Sequence, residues 1–228
     1  MPGHMPGMGF PTVVLMCASD EPMNSYARFL VLLLPLTTNE VIADSLVDLT
    51  VTGRLTPDAC RVELSDEGTV EHGKIPTYRL NASAPTALPG RVLELSVICT
   101  RPMLFALVGI DNRPESAITP GTFGLGVNAH APGQRLGSVS LSYRDSIGDG
   151  QHMQALASIN NGETWVPQSA ATPQTYMGFA LQGERQPDFI SQLFSQLWVD
   201  TVIDATEHLT LDRDVPLDGS IVLDLRYL

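Results

Sequence analysis

The side chains that could do chemistry in this chain are three turn carboxylates, Asp145, Asp149 and Glu163, and four histidines, His72, His130, His152 and His208. A close carboxylate pair could serve as general acid and base or hold calcium, and converging imidazoles could bind zinc. Their spacing favours neither chemistry. The histidines are scattered among loops and strand ends, with no two-histidine helical pattern for a metal, and the hydrolase elbow Gly-x-Ser-x-Gly is absent. In a chain with 25 Asp and Glu, carboxylates in turns are unremarkable. Gly121-Thr-Phe-Gly-Leu-Gly126 is glycine-rich, yet no helix follows whose N-terminus could hold a phosphate, so a bulge or tight corner is expected. No catalytic residue, metal ligand or cofactor is assigned, and the chain is expected not to be an enzyme.

Ser158-Ile-Asn-Asn-Gly-Glu-Thr-Trp165 is more specific. It resembles the Asp-box of sialidase-type propellers, with Asn160 in place of the Asp. In those proteins the box is a hairpin corner with the Trp packed beneath. A propeller needs one copy per blade and this sequence has a single copy, so a β-hairpin is expected. Trp165 or Trp198 lining a cleft would instead point to sugar binding.

The elements that must position these residues are strands. Aromatics are few, Gly and Pro are frequent, and Val, Leu, Ser and Thr recur in short runs between turn residues. Val92 to Cys99 alternates, with Leu93, Leu95, Val97 and Cys99 on one face. Met103 to Ile110, the run through Val139, Leu141 and Tyr143, Met153 to Ile159, Tyr176 to Leu181 and Leu197 to Ile203 read as further strands. Shorter ones are expected at Val62 to Leu64, Thr69 to His72, Leu80 to Ala82 and Leu209 to Leu211, with turns at Asp111 to Pro114 and Asp145 to Gly150. Pro187 to Gln196 carries Phe189, Ile190, Leu193 and Phe194 at helical spacing and predicts one short helix. The last strand presents Ile221, Leu223, Leu225 and Tyr227 to one face, and such an ending suggests a protein that assembles by strand exchange. Together these predict an all-β sandwich in a single domain, residues 44–228.

A net charge of −12, with Lys74 as the only lysine, would repel phosphate backbones and anionic lipid, so no nucleic-acid or membrane-surface partner is expected. Residues 1–22 read as an upstream extension. Residues 23–43 read as a signal peptide: Arg28 precedes an apolar run from Phe29 to Leu36, and Val41 and Ala43 are the small residues before cleavage between Ala43 and Asp44. The run is far shorter than the roughly 20 residues of a membrane span, so the mature chain is expected to have none. After cleavage only Cys60 and Cys99 remain, which implies one disulfide in an oxidising compartment. Buried free thiols are the alternative. Residues 45–56 alternate through Val47, Leu49, Val51, Gly53 and Leu55 and read as a first strand or a detachable arm.

Several segments in order, LTVTGRLTPDAC, GTVEHGKI, LELSVICTRP, IDNRPES, FGLG, NNGETW and LDGSIVLDLRYL, resemble the exported GltF-like proteins over residues 44–228. That is a domain-of-unknown-function group associated with fimbrial chaperone and usher systems. The layout is also distantly similar to chaperone-usher pilins, which carry an incomplete immunoglobulin-like sandwich. The resemblance implies a pilin-like immunoglobulin fold with insertions, in which the arm fills a neighbouring subunit's groove, with Gly53 where a small residue is required. Its implied partners are a periplasmic chaperone, an outer-membrane usher and neighbouring subunits. It implies a non-enzymatic subunit of a fimbria-like surface structure located in the periplasm, cell surface or fimbrium. The competing expectation is a self-contained periplasmic or secreted carbohydrate-binding module, its sandwich completed by residues 46–55.

Overall fold

The computed structural model describes residues 59–228, all within one compact unit. The export segment 23–43, the Ala43–Asp44 junction and the arm residues Val47, Leu49, Val51, Gly53 and Leu55 lie outside the described residues. Alternating apolar residues between turn-forming ones produce an all-β fold, and among the described residues there is no α-helix. The strands are β1 (Cys60–Leu64), β2 (Thr86–Ala87), β3 (Arg91–Met103), β4 (Phe105–Asp111), β5 (Phe123–Gly124) and β6 (Gly137–Gly148). They continue with β7 (Gln151–Ser158), β8 (Val166–Pro167), β9 (Ala170–Ala171), β10 (Tyr176–Leu181), β11 (Ile190–Ile203) and β12 (Ile221–Tyr227).

Every ladder between these strands is antiparallel, in the order β1-β3-β11-β6-β7-β10-β4-β12, with β2, β5, β8 and β9 as short additions. The path has two halves. The first is β1-β3-β11-β6 and the second β7-β10-β4-β12, joined where Ile147 and Gly148 pair with His152 and Gln151. The connecting turn is Asp149-Gly150, with φ of 48° and 81°. Two positive φ values in a two-residue loop match the right-handed twist of the flanking strands, and Asp-Gly tolerates them. The expected Asp145 to Gly150 turn is thus narrower than its sequence implies: β6 runs through Asp145, itself at φ 48°, to Gly148.

Leu93, Leu95, Val97 and Cys99 of β3 point inward and are buried, as their alternation predicts. They share one core cluster with Leu107, Met177 and Phe179 of the second half. Tyr143 of β6 meets Phe179 of β10 edge to face, with ring centroids 5.5 Å apart. Each fully buried aliphatic here contributes about 1.5–3 kcal/mol of transfer free energy. A smaller cluster covers the other face of the second half, where Trp165 packs with Ala106, Leu156 and Ala180.

The short helix expected over Pro187 to Gln196 is not formed, because those residues enter β11. The register of β11 shifts between Ile190 and Gln192 against β3 and between Phe194 and Gln196 against β6. The first shift turns both Ile190 and Leu193 inward, three residues apart, and so imitates helical spacing within a strand. The expected strands at Thr69 to His72, Leu80 to Ala82 and Leu209 to Leu211 are also absent. Those segments are irregular, and their apolar side chains line a groove.

Candidate functional site

The two ends of the strand path, β1 and β12, each pair with one neighbour among the described residues, β3 and β4 respectively. Both turn apolar faces toward the core. Val62 and Leu64 of β1 and Ile221, Leu223 and Leu225 of β12 are nevertheless only half-buried. Leu64, Ile221 and Leu223 line a groove of about 970 Å³. Its floor is the inner face of the first half, including Leu93, Val139, Leu141, Leu197 and Val199. One bank continues from Leu64 through Val70 to Ile75, and the other carries Leu211, Val215, Ile221 and Leu223. Glu71, Lys74, Arg213 and Asp214 also line it, so charges of both signs accompany an apolar floor.

Apart from the residues that line the groove, β1 and β12 also meet directly. The backbone N–H of Cys60 donates to the Tyr227 hydroxyl at 2.9 Å, which joins the first residue of β1 to the last of β12. The Tyr227 side chain is spent on this span rather than on the core, and the residue is 50% exposed. Cys60 is tied to β3 as well, by a disulfide to Cys99, its direct cross-strand partner. Closing that 39-residue separation is worth about 3–4 kcal/mol in the chain-entropy model. Along the floor, His72 Nε2 lies 2.9 Å from Thr201 Oγ1. Desolvation, and then the nearby positive charge of Arg91, hold the His72 imidazole below its usual pKa.

The other chemically capable residues do not converge. The Asp149 carboxylate accepts backbone N–H bonds from Ser191 and Gln192, pinning the β6–β7 turn to the irregular start of β11. That is a positional role created by a partner over 40 residues away. His208 pairs with Asp204 at 3.2 Å, and His130 Nε2 lies 3.3 Å from the Asp214 carbonyl. No group of three or more His, Cys, Asp or Glu among the described residues is placed to hold a metal.

The Ser158–Trp165 segment is a hairpin joining β7 to β8. Asn160 Oδ1 accepts from Ser158 Oγ at 2.8 Å and from the Thr164 N–H at 3.0 Å, while Ser158 Oγ accepts the Gly162 N–H. The Trp165 indole N–H donates to the Gly162 carbonyl, and its ring is buried beneath the turn, so that it is unavailable to a sugar. Trp198 lies on the outer face of β11 with the Arg144 guanidinium 4.3 Å over its ring. The glycine-rich corner is as expected: Gly121 and Gly126 have φ of 77° and 91°, and a side chain on Gly124 would strike the Arg113 carbonyl.

The groove is what residue-by-residue reading missed. Its two bordering strands were visible as alternating runs, but the banks at 68–77 and 209–217 are irregular, and their breakers Gly73, Pro76 and Pro216 were the available signal.

Residues 49–125 match a family model described as Protein of unknown function (DUF1120). The chain is 26% identical to Protein GltF of Escherichia coli (strain K12) over 234 aligned residues, covering 79% of this chain and 88% of that protein. The matched family segment takes in the disulfide, β1, β3 and β4, the strands that build one side of the groove and the neighbour of the other. The chain is thus similar to the DUF1120 family of unknown function over residues 49–125 and to Protein GltF over most of its length.

Proposed function

We propose that the chain is a non-enzymatic, exported subunit of a fimbria-like surface structure, assembled by strand addition with the help of a periplasmic chaperone and an outer-membrane usher. The observation that carries this reading is the apolar groove between β1 and β12. A sandwich edge with half-buried aliphatics on both banks has hydrogen-bonding capacity and apolar surface for one more strand. In this reading the fold is an immunoglobulin-like sandwich short of a strand, and residues 45–56, alternating through Val47, Leu49, Val51, Gly53 and Leu55, supply the matching edge to a neighbouring subunit. The signal-like segment 23–43 and cleavage before Asp44 would deliver it to the periplasm.

The test is periplasmic expression with chaperone co-purification, comparing Tyr227→Ala with Arg226→Ala. Tyr227 joins β12 to β1 through the Cys60 N–H, whereas Arg226 is exposed and pairs with Asp224. Tyr227→Ala should lower yield and partner recovery well beyond Arg226→Ala. Equal behaviour of the two, with both soluble and monomeric without a partner, would defeat the strand-exchange reading.

A further inference from the structure

We infer that two copies of this chain pair face to face through the outer surface of β3, β11 and β6, about a two-fold axis running along β11. Leu93, Leu141 and Leu197 of these strands point into the groove, so this surface is their opposite face. The inference does not rest on the groove as a strand acceptor.

Along β11 the buried Leu193, Ser195 and Leu197 alternate with outward Phe194, Gln196 and Trp198. Phe194 is 50% exposed, and Val92 of β3 and Ile147 of β6 are exposed on the same face. The register sets these residues in rows. Ser96 and Ile147 flank Phe194, Glu94 and Arg144 flank Gln196, and Val92 and Ser142 flank Trp198. The Arg144 guanidinium is held 4.3 Å over the Trp198 ring, while neither Arg144 nor Glu94 has an ion pair among the described residues. Stacking fixes the guanidinium and leaves its N–H fork open to a carboxylate. Trp and Arg are the residue types that most often carry the energy of an interface.

The rows identify the partner as a second copy. Sheets packed face to face keep their strands within about 30° of each other. A half-turn about an axis along β11 exchanges the β3 flank for the β6 flank and keeps every row at its own level. Glu94 of each copy then faces Arg144 of the other, giving two symmetric ion pairs. Ile147 faces the small Ser96, and the two Phe194 side chains meet on the axis. A half-turn about an axis across the strands would instead set Glu94 against Glu94 and Arg144 against Arg144. Charge therefore selects the axis along β11. The Asp200 carboxylates, two residues beyond Trp198, fall at the end of the face, where sheet twist separates the strands.

From Gln192 to Asp200 the face is roughly 26 Å long and about 14 Å wide, on the order of 400 Å². A standard interface buries about 800 Å² on each partner, so this dimer should dissociate on dilution.

Sedimentation equilibrium of the purified full chain should show a shift from monomer to dimer as concentration rises. Glu94→Arg or Arg144→Glu alone places like charges opposite each other twice and should weaken the dimer by more than about tenfold. Both positions are exposed, so the melting temperature of each variant should stay near the parent value. An equal mixture of the two variants should recover the dimer, because both contacts of the mixed pair again join opposite charges. Phe194→Ser should weaken association as well. A chain that is monomeric at every concentration overturns the inference, and so does a dimer indifferent to both reversals or variants that do not recover on mixing. If a reversal fails to fold, Glu94→Gln and Arg144→Gln replace it, with weakened association supporting the pairing and parent-like association overturning it.

Discussion

The two sides of this sandwich obey one sequence rule and reach different burial. Around β6, β11, β7 and β10, strands alternate and their inward residues are sealed: Leu193, Met177 and Phe179 have essentially no exposure. Along the seam, β1 and β12 alternate just as cleanly, yet Val62, Leu64, Leu223 and Leu225 remain half-buried. The difference lies in what stands beside each strand. Among the described residues, interior strands have neighbours on both edges and a facing half, whereas each seam strand has one neighbour and borders a groove. Alternation thus specifies which face is apolar, and tertiary context decides whether that face is finished. An unfinished apolar face in an otherwise close-packed fold marks the place where something else fits.

Truncation should sharpen this contrast most. Phe179→Ala in the sealed region should cost about 3–5 kcal/mol in urea unfolding, while Leu223→Ala, on the open seam, should cost about 1–2 kcal/mol. Equal losses would mean that the seam is as closed in solution as the interior. Next in size is the covalent tie: Cys60→Ser with Cys99→Ser should lower stability by about 2–4 kcal/mol, and reductant should reproduce the loss in the parent protein. Because β1 pairs with one neighbour among the described residues, proteolytic cleavage after the change should begin on its side of the chain rather than in β10.

The sealed region has its own flaw, and removing it should help. Among the described residues the fully buried Tyr143 hydroxyl has no hydrogen-bond partner, and burial pushes its pKa far above the usual value. Tyr143→Phe keeps the edge-to-face contact with Phe179 and should be neutral or stabilising by up to about 1 kcal/mol in urea unfolding. A marked loss would reveal a partner for that oxygen.

The smallest effect belongs to the groove wall. His72 has its pKa lowered from 6.5, mainly by desolvation and then by Arg91. The fold therefore prefers the neutral ring. That preference supports stability fully above pH 6.5 and is lost as pH falls from there through the depressed folded value. His72→Gln, which retains a group able to bond Thr201, should flatten the fall in melting temperature between pH 7.5 and 5.5.

Much of this architecture was legible because it depends on local alternation. Tyr176 to Leu181 forms β10 with the bounds its sequence suggests, and the inward set of β3 is the one read from Val92 to Cys99. The Asn160 corner was legible for a related reason, since its hydrogen bonds all fall within the segment from Ser158 to Trp165. What eluded sequence reading depends on distant partners. The register shifts of β11 disguise a strand as a helix, and the Asp149 carboxylate acquires its role only when Ser191 and Gln192 arrive beside it. The groove banks were misread as strands because Val70, Leu80 and Leu211 are apolar for a shared cavity rather than for a ladder.

The position of the disulfide also fixes how the molecule carries mechanical load. Tension applied through the residues before Ala59 reaches Cys60, crosses the Cys60–Cys99 bond into β3 and spreads into β11 through their long ladder. The rest of β1, from Arg61 to Leu64, lies off that force path. A molecule pulled by its leading segment would keep this part of β1 slack, and therefore unchanged in shape, until β3 itself began to shear from β11.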